Sequence, residues 1–133
     1  MKYLSKEKFD RLQKLIESVI AVSIQARESQ ENKTSIPGFD RESFLGEKEL
    51  FSDHIIGRAY SVIHYPDRRI TDETIAKLLE LNNCCNLKKY LHLNRFLNDK
   101  TLQKSFPCAK QELQILSEIK TILQEIAFQR EVK

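Results

Sequence analysis

The stretch "QELQILSEIKTILQEIAFQ", Gln111–Gln129, decides the fold. Its residues Leu113, Leu116, Ile119, Leu123 and Ile126 recur at spacings of three and four, the repeat of one face of an α-helix. Ile115, Ile122 and Phe128 widen that stripe. Ser105 and Pro107 open the helix, and proline suits a first helical turn because its missing N–H would be unbonded there anyway. A long one-sided helix needs a partner of similar length. The start of the chain supplies one. Over residues 5–28, Phe9, Leu12, Ile16 and Val19 form a stripe, widened by Leu15, Ile20, Val22 and Ala26, with Ser5 as the N-cap.

Between these terminal helices the pattern is shorter and more broken. Residues 28–39, "ESQENKTSIPGF", read as a polar loop closed by Pro-Gly, with Ile36 and Phe39 tucked back onto the body. Asp40 caps a short turn, "DRESFLG", and a second helix follows from about Lys48 to His64. Pro66 ends it, because proline disfavours helical geometry in the residue before it. Thr71 caps a third helix whose core face is Ile75, Leu78 and Leu79, and whose acidic first turn suits the positive end of the helix dipole. The run "NNCCN" is a break. Residues 86–98 then form a helix with Leu87, Tyr90, Leu91 and Leu97 inward. No stretch alternates with the period of two that marks a strand.

The expectation is one all-α domain over residues 1–133, an up-and-down bundle of about five helices with the terminal pair packed together. Composition agrees. The chain has 133 residues, 41% of them apolar, with only three Gly and three Pro, too few turn residues for a β-sandwich or barrel. No run approaches the ~18 apolar residues of a membrane span, and the start lacks a signal-type apolar run, which predicts a cytoplasmic protein away from membranes. Three cysteines, two of them adjacent, make a poor disulfide framework and fit free thiols in a reducing compartment.

The stripes on the terminal helices are wider than a core of this size requires. Leu15, Ile20, Ile24, Ile115, Ile122 and Phe128 lie partly outside the main seam. Either the connecting loops cover them, or they form a surface for a homodimer or another helical protein.

"HIIGRAYSVIHYPD", His54–Asp67, carries the densest set of candidate site residues. At 100° per residue, Phe51, Ile55, Ile56, Ala59, Val62 and Ile63 fall in an arc of about 140°, a core face. Asp53, His54, Gly57, Arg58, Tyr60, Ser61, His64 and Tyr65 occupy the rest. That arc lacks the lysines and glutamates of a solvated face, and Gly57 costs helix stability, which together predict a face covered by a partner.

Arg58 and His64 form an R-x5-H pair followed by Tyr65. A small helical chain with this pair is similar to HEPN domains, many of which are metal-independent ribonucleases working as dimers. The resemblance implies that His64 acts as general acid or base and that Arg58 steadies charge on a scissile phosphate. The pair departs from that family at Ala59, where a polar residue, often asparagine, usually stands, and in closing a helix rather than opening one.

A basic segment, residues 86–104, sets Lys88, Lys89, Arg95, Lys100 and Lys104 against a single acid, Asp99. Such a run suits contact with RNA or DNA backbones, and the interleaved Tyr90 and Phe96 would suit base stacking if exposed. The net charge of +3 is too small to imply nucleic acid by itself. Residues 70–104 also carry the outline of a helix-turn-helix DNA binder, two short helices around a break, with "LNNCCN" in place of the usual turn glycine.

Cys84, Cys85, His92 and Cys108 are the soft ligands nearest one another, but adjacent cysteines lack the C-x2-C spacing of a zinc site, so neither metal nor cofactor is expected. Glycine-rich phosphate loops, G-x-S-x-G and H-E-x-x-H are absent from the sequence. The leading expectation is therefore a non-enzymatic interaction or regulatory protein that docks by helix faces and self-associates, with a nucleic-acid-related complex as one setting. The HEPN-like ribonuclease and the helix-turn-helix binder are the alternatives.

Overall fold

The computed structural model describes residues 2–131, with side chains described as far as Phe128. The first long helix, α1, spans Lys6–Glu28, and the Ser5 hydroxyl accepts the Lys8 N–H at 3.2 Å as its N-cap. The last, α7, spans Pro107–Glu131. The two lie side by side, as their stripes require. Leu12, Ile16 and Val19 of α1 and Leu116, Ile119 and Leu123 of α7 belong to one buried core. Surface ion pairs report the direction: Arg11 meets Glu118 at 2.5 Å, and Lys8 meets Glu125 at 3.7 Å. Earlier residues of α1 face later residues of α7, so the helices are antiparallel. Both pairs lie at the surface, with Lys8 half-buried, and add little stability.

The second long helix, α2, spans Arg41–Val62 without interruption. This corrects the expected short turn followed by a helix from Lys48. Asp40 caps the whole helix, accepting the Ser43 N–H at 3.1 Å and its hydroxyl at 2.7 Å, and these bonds hold the Asp40 carboxyl below its ordinary pKa. Gly46 does not break the helix because buried Phe44 and Phe51 anchor the turns on either side of it. A single glycine costs only ~1 kcal/mol. The helix ends at Val62, two residues short of His64, with Ile63 as its C-cap. Lys48 meets Glu112, and the Lys120 ammonium lies 5.9 Å from the Phe51 ring centre. Later residues of α2 meet later residues of α7, so α2 runs parallel to α7 and antiparallel to α1.

Shorter elements close the bundle. Lys2–Tyr3 (β1) and Arg69–Ile70 (β2) form a two-residue antiparallel ladder, with Lys2 opposite Ile70. Two residues are too few to leave an alternating pattern in the sequence. Helix α3, Asp72–Leu79, begins at Thr71 as expected, but Leu79 faces outward. The predicted break at "NNCCN" falls later, because Leu81–Cys84 forms a further turn of helix, α4.

The expected continuous helix over 86–98 is divided. A 3-10 turn at Leu87–Lys89 is capped by the Asn86 side chain, Tyr90 leaves helical geometry, and α5 starts afresh at Leu91–Leu97. The restart rotates the helix phase. Leu93 and Phe96 are fully buried, whereas Leu91 is 75% exposed and Leu97 also faces outward. Helix α6, Lys100–Ser105, follows, so Ser105 closes a helix instead of capping α7. Phe39, Phe44, Phe96 and Phe106 pack at ring separations of 4.6–6.3 Å where the loop, α2, α5 and α7 meet. The architecture is an all-α bundle, and no helix among the described residues is long and apolar enough to cross a membrane.

Of the residues outside the main seam, Leu15 is buried and Ile115 and Ile122 are half-buried. Ile20 and Ile24 remain 43% and 41% exposed, and Phe128 is exposed too.

Candidate functional site

Helices α1 and α2 each pack on α7 more closely than on one another. A cleft of about 430 Å³ opens between them. Val19 and Ile20 form its α1 wall, and Leu45 and Ile56 face them from α2. Arg27, Glu49 and Asp53 stand along it, and Lys48 and Glu112 also line it.

Lys48 and Glu112 are both buried and are ion-paired with each other. Removing either charge from water costs several kcal/mol, so each needs the other. Asn32 also lines the cleft; its side-chain oxygen is shut off from solvent and has no hydrogen-bond partner among the described residues.

A second buried carboxylate, Glu31, explains how α7 begins. Its two oxygens accept the Cys108 and Ala109 N–H groups at 2.8 and 3.0 Å. A side chain from another segment thus does the work of an N-cap, and its charge suits the helix dipole. Burial, and then the adjacent Glu31 carboxylate, push the Cys108 thiol above its ordinary pKa. Glu47 does the same for α5, accepting the His92 and Leu93 N–H groups at 2.9 and 3.1 Å while its other oxygen lies 2.5 Å from His92 Nδ1.

The polar arc expected on the second helix divides among several places. Asp53 stands in the cleft. Tyr60, Ser61, His64 and Tyr65 share a separate hollow of about 280 Å³ with Thr71, Glu73, Thr74 and Lys77. There the His64 and Tyr65 rings meet edge to face at 4.7 Å, and the Arg69 guanidinium covers Tyr65 at 4.0 Å. Arg58 is not among the residues lining this hollow. Its Nε donates to the Lys77 carbonyl at 3.3 Å and its guanidinium lies 3.9 Å from Glu80, at the C-terminal end of α3. His54 is half-buried. Gly57 is exposed, and a Cβ placed there would meet open space. Among the described residues, nothing outside its own helix approaches within 4 Å of that Cβ position.

The basic residues are spread over three elements. Lys88 is exposed in the 3-10 turn. Lys89 donates to the Asn83 carbonyl at 3.1 Å, and Arg95 donates to the Gly38 carbonyl at 2.9 Å while lying over the Phe39 ring. Lys100 and Lys104 are exposed on α6. The aromatics between them face inward: the Tyr90 hydroxyl donates to the Cys84 carbonyl at 2.8 Å, and Phe96 is fully buried. Neither is placed to stack on a base.

The cysteines are free thiols. Cys84 and Cys85 sulfurs lie 3.8 Å apart, and burial, then the neighbouring Cys84, push the Cys85 thiol up to about 12. Among the described residues, no group of three or more His, Cys, Asp or Glu side chains is gathered to hold a metal ion.

Reasoning from sequence passed over Glu31, Glu47, Lys48 and Glu112. A signal existed for two of them. Lys48 falls between Phe44 and Phe51 at spacings of four and three, and Glu112 precedes Leu116 by four and Ile119 by seven. Each is a charge at a core phase of its helix.

The fold and cleft thus define a helical bundle with a charged, half-enclosed groove between two long helices. No protein-family model, curated protein or solved structure matches the chain.

Proposed function

We propose that this chain is a non-enzymatic interaction protein that docks a partner helix along the face shared by α1 and α2. The observation that supports this reading is the exposure of Ile20 and Ile24, one helical turn apart on α1, with Ile20 lining the cleft itself. Adjacent exposed aliphatic side chains beside a groove are the anchors a helix-in-groove interface uses. The preferred partner is a second copy of the chain. A regulatory role in the cytoplasm is consistent with three free thiols, which a reducing compartment preserves.

Sedimentation velocity at micromolar concentration tests this reading. The wild-type chain is expected to sediment as a dimer, and Ile20→Asp with Ile24→Asp as a folded monomer. A wild-type monomer would overturn self-association.

Backbone contact with RNA or DNA is a second reading, supported by exposed Lys88, Lys100 and Lys104, which have no carboxylate partner among the described residues. It requires binding that weakens steeply with salt. The ribonuclease reading has less support, since Arg58 is engaged at the end of α3 while His64 lines a different hollow.

A further inference from the structure

We propose that Cys84 and Cys85 form a modification site, at which hydrogen peroxide oxidises the two thiols to a disulfide between adjacent residues. This goes beyond the docking reading and does not depend on it. Cys84 is the last residue of α4, and Cys85 follows it directly. Their sulfurs lie 3.8 Å apart. Only one of the two has to be reached from solvent. Cys84 is half-buried and packs against the core, whereas Cys85 is fully buried within it. The third thiol, Cys108, is buried in a different cluster, with Val22 and Ala26.

The Cys84 sulfur attacks one peroxide oxygen. A sulfur–oxygen bond forms, the oxygen–oxygen bond breaks, and the departing hydroxide leaves as water with the Cys84 thiol proton. Cys85 then lies beside the sulfenic acid. Its sulfur attacks the Cys84 sulfur, the sulfur–oxygen bond breaks, and the hydroxyl leaves as a second water with the Cys85 proton. Two thiols become one disulfide, and one peroxide is reduced to two waters. Burial, then the neighbouring Cys84, push the Cys85 thiol up to about 12, so it holds its proton at rest. Arg58 and Lys120 act on it in the opposite sense and favour negative charge on the attacking sulfur. Adjacent Cα atoms stand ~3.8 Å apart across a trans peptide, inside the usual ~4.4–6.8 Å of bridged cysteines, so the ring is strained. Strained disulfides are readily reduced, which suits a reversible mark. The peptide unit closed into the ring carries the Cys84 carbonyl, which accepts the Tyr90 hydroxyl at 2.8 Å. Closing the ring turns that unit and draws the carbonyl away from Tyr90, which is buried edge-on to Phe51. Tyr90 directly precedes α5, so oxidation is felt where that helix starts.

The test treats the reduced full chain with a few equivalents of hydrogen peroxide and follows its intact mass. The wild-type chain is expected to lose two hydrogens, mapped to the peptide that holds both Cys84 and Cys85, and to regain them with dithiothreitol. In the nitrogen-15-labelled chain the Tyr90 and Leu91 amides are expected to shift on oxidation and return on reduction. Cys108→Ser is expected to behave like the wild type, and Cys84→Ser to lose no hydrogens. Cys85→Ser is expected to stop at a sulfenic acid on Cys84, captured by dimedone. The wild-type readings require no variant to fold. The proposal is overturned if the mass does not change or if Cys84 gains oxygen without loss of hydrogens. It is equally overturned if the new bond joins Cys108 or two chains, or if Cys84→Ser still loses two hydrogens. Unmoved Tyr90 and Leu91 amides would overturn the link to α5. Sedimentation is read on the reduced chain, so the two proposals fall separately.

Discussion

Lys48 of α2 and Glu112 of α7 pair their charges out of water on the lining of the α1–α2 cleft. Such a pair is a poor source of net stability, because desolvation offsets most of the attraction, but it penalises any arrangement that separates the two groups. It therefore opposes any slip of α2 along α7 that would part the two charges.

Removing one partner leaves an uncompensated buried charge. Lys48→Met is expected to destabilise the fold by about 3–5 kcal/mol, and Glu112→Leu by a similar amount. The double replacement, Lys48→Met with Glu112→Leu, is expected to be more stable than either single variant. Urea denaturation of the four proteins gives the coupling energy directly. Additive losses would show that the pair is not coupled.

Glu31 caps α7 from outside that helix. Glu31→Ala is expected to cost about 1–2 kcal/mol, in the range of lost N-caps, with amide exchange quickening first at Cys108 and Ala109. Glu31→Gln, which keeps one carbonyl acceptor, is expected to lose less. Equal protection in all three proteins would mean that the α7 start is secured by other groups.

How far the sequence reaches can be judged at these same residues. The stripes of α1 and α7 are regular over many turns, so these two helices and their mutual packing are legible from periodicity, and the caps of α1 at Ser5 and of α3 at Thr71 are legible from residue type. The middle of the chain is less so, because the phase resets at Tyr90 and turns Leu91 outward and Leu93 inward. That reset depends on Glu47, more than forty residues earlier in the sequence, which caps α5. The site is the least legible part. The arc from Asp53 to Tyr65 separates into a cleft, a hollow and a helix-end contact, since α2 and the turn that follows it at Ile63 present those residues to different neighbours. The Lys48–Glu112 pairing is invisible until two helices are brought together.

Gly57 illustrates the difference. Its place in the polar arc predicts a face covered by a partner, and among the described residues a Cβ placed at Gly46 or Gly57 meets open space, so no contact within the chain explains either glycine. Gly46→Ala and Gly57→Ala are each expected to stabilise the isolated protein by ~0.5–1 kcal/mol, as alanine does in an exposed helix interior. Thermal unfolding checks this. A loss of stability in either variant would reveal a constraint on α2 that the described contacts do not contain.

Cys85 gives a pH signature. Its thiol is pushed up to about 12, mainly by burial, from an ordinary value of 9.0. As pH rises past the ordinary value, the unfolded chain releases this proton while the folded chain retains it. The stability tied to this group is therefore intact below about pH 9 and is lost as pH climbs toward 12. Urea midpoints measured at about pH 8 and about pH 10.5 should fall more steeply for the wild type than for Cys85→Ala. Parallel slopes would contradict the burial of this thiol as described.

The central claim is that the α1–α2 face is where a partner sits. The most direct measurement places a photo-cross-linking residue at Ile24, beside the cleft, and separately at Leu91, which is exposed on α5. Irradiation of the purified chain is expected to give an adduct of twice the chain mass from position 24 and none from position 91. Equal yields from both positions, or no adduct from position 24, would contradict the account.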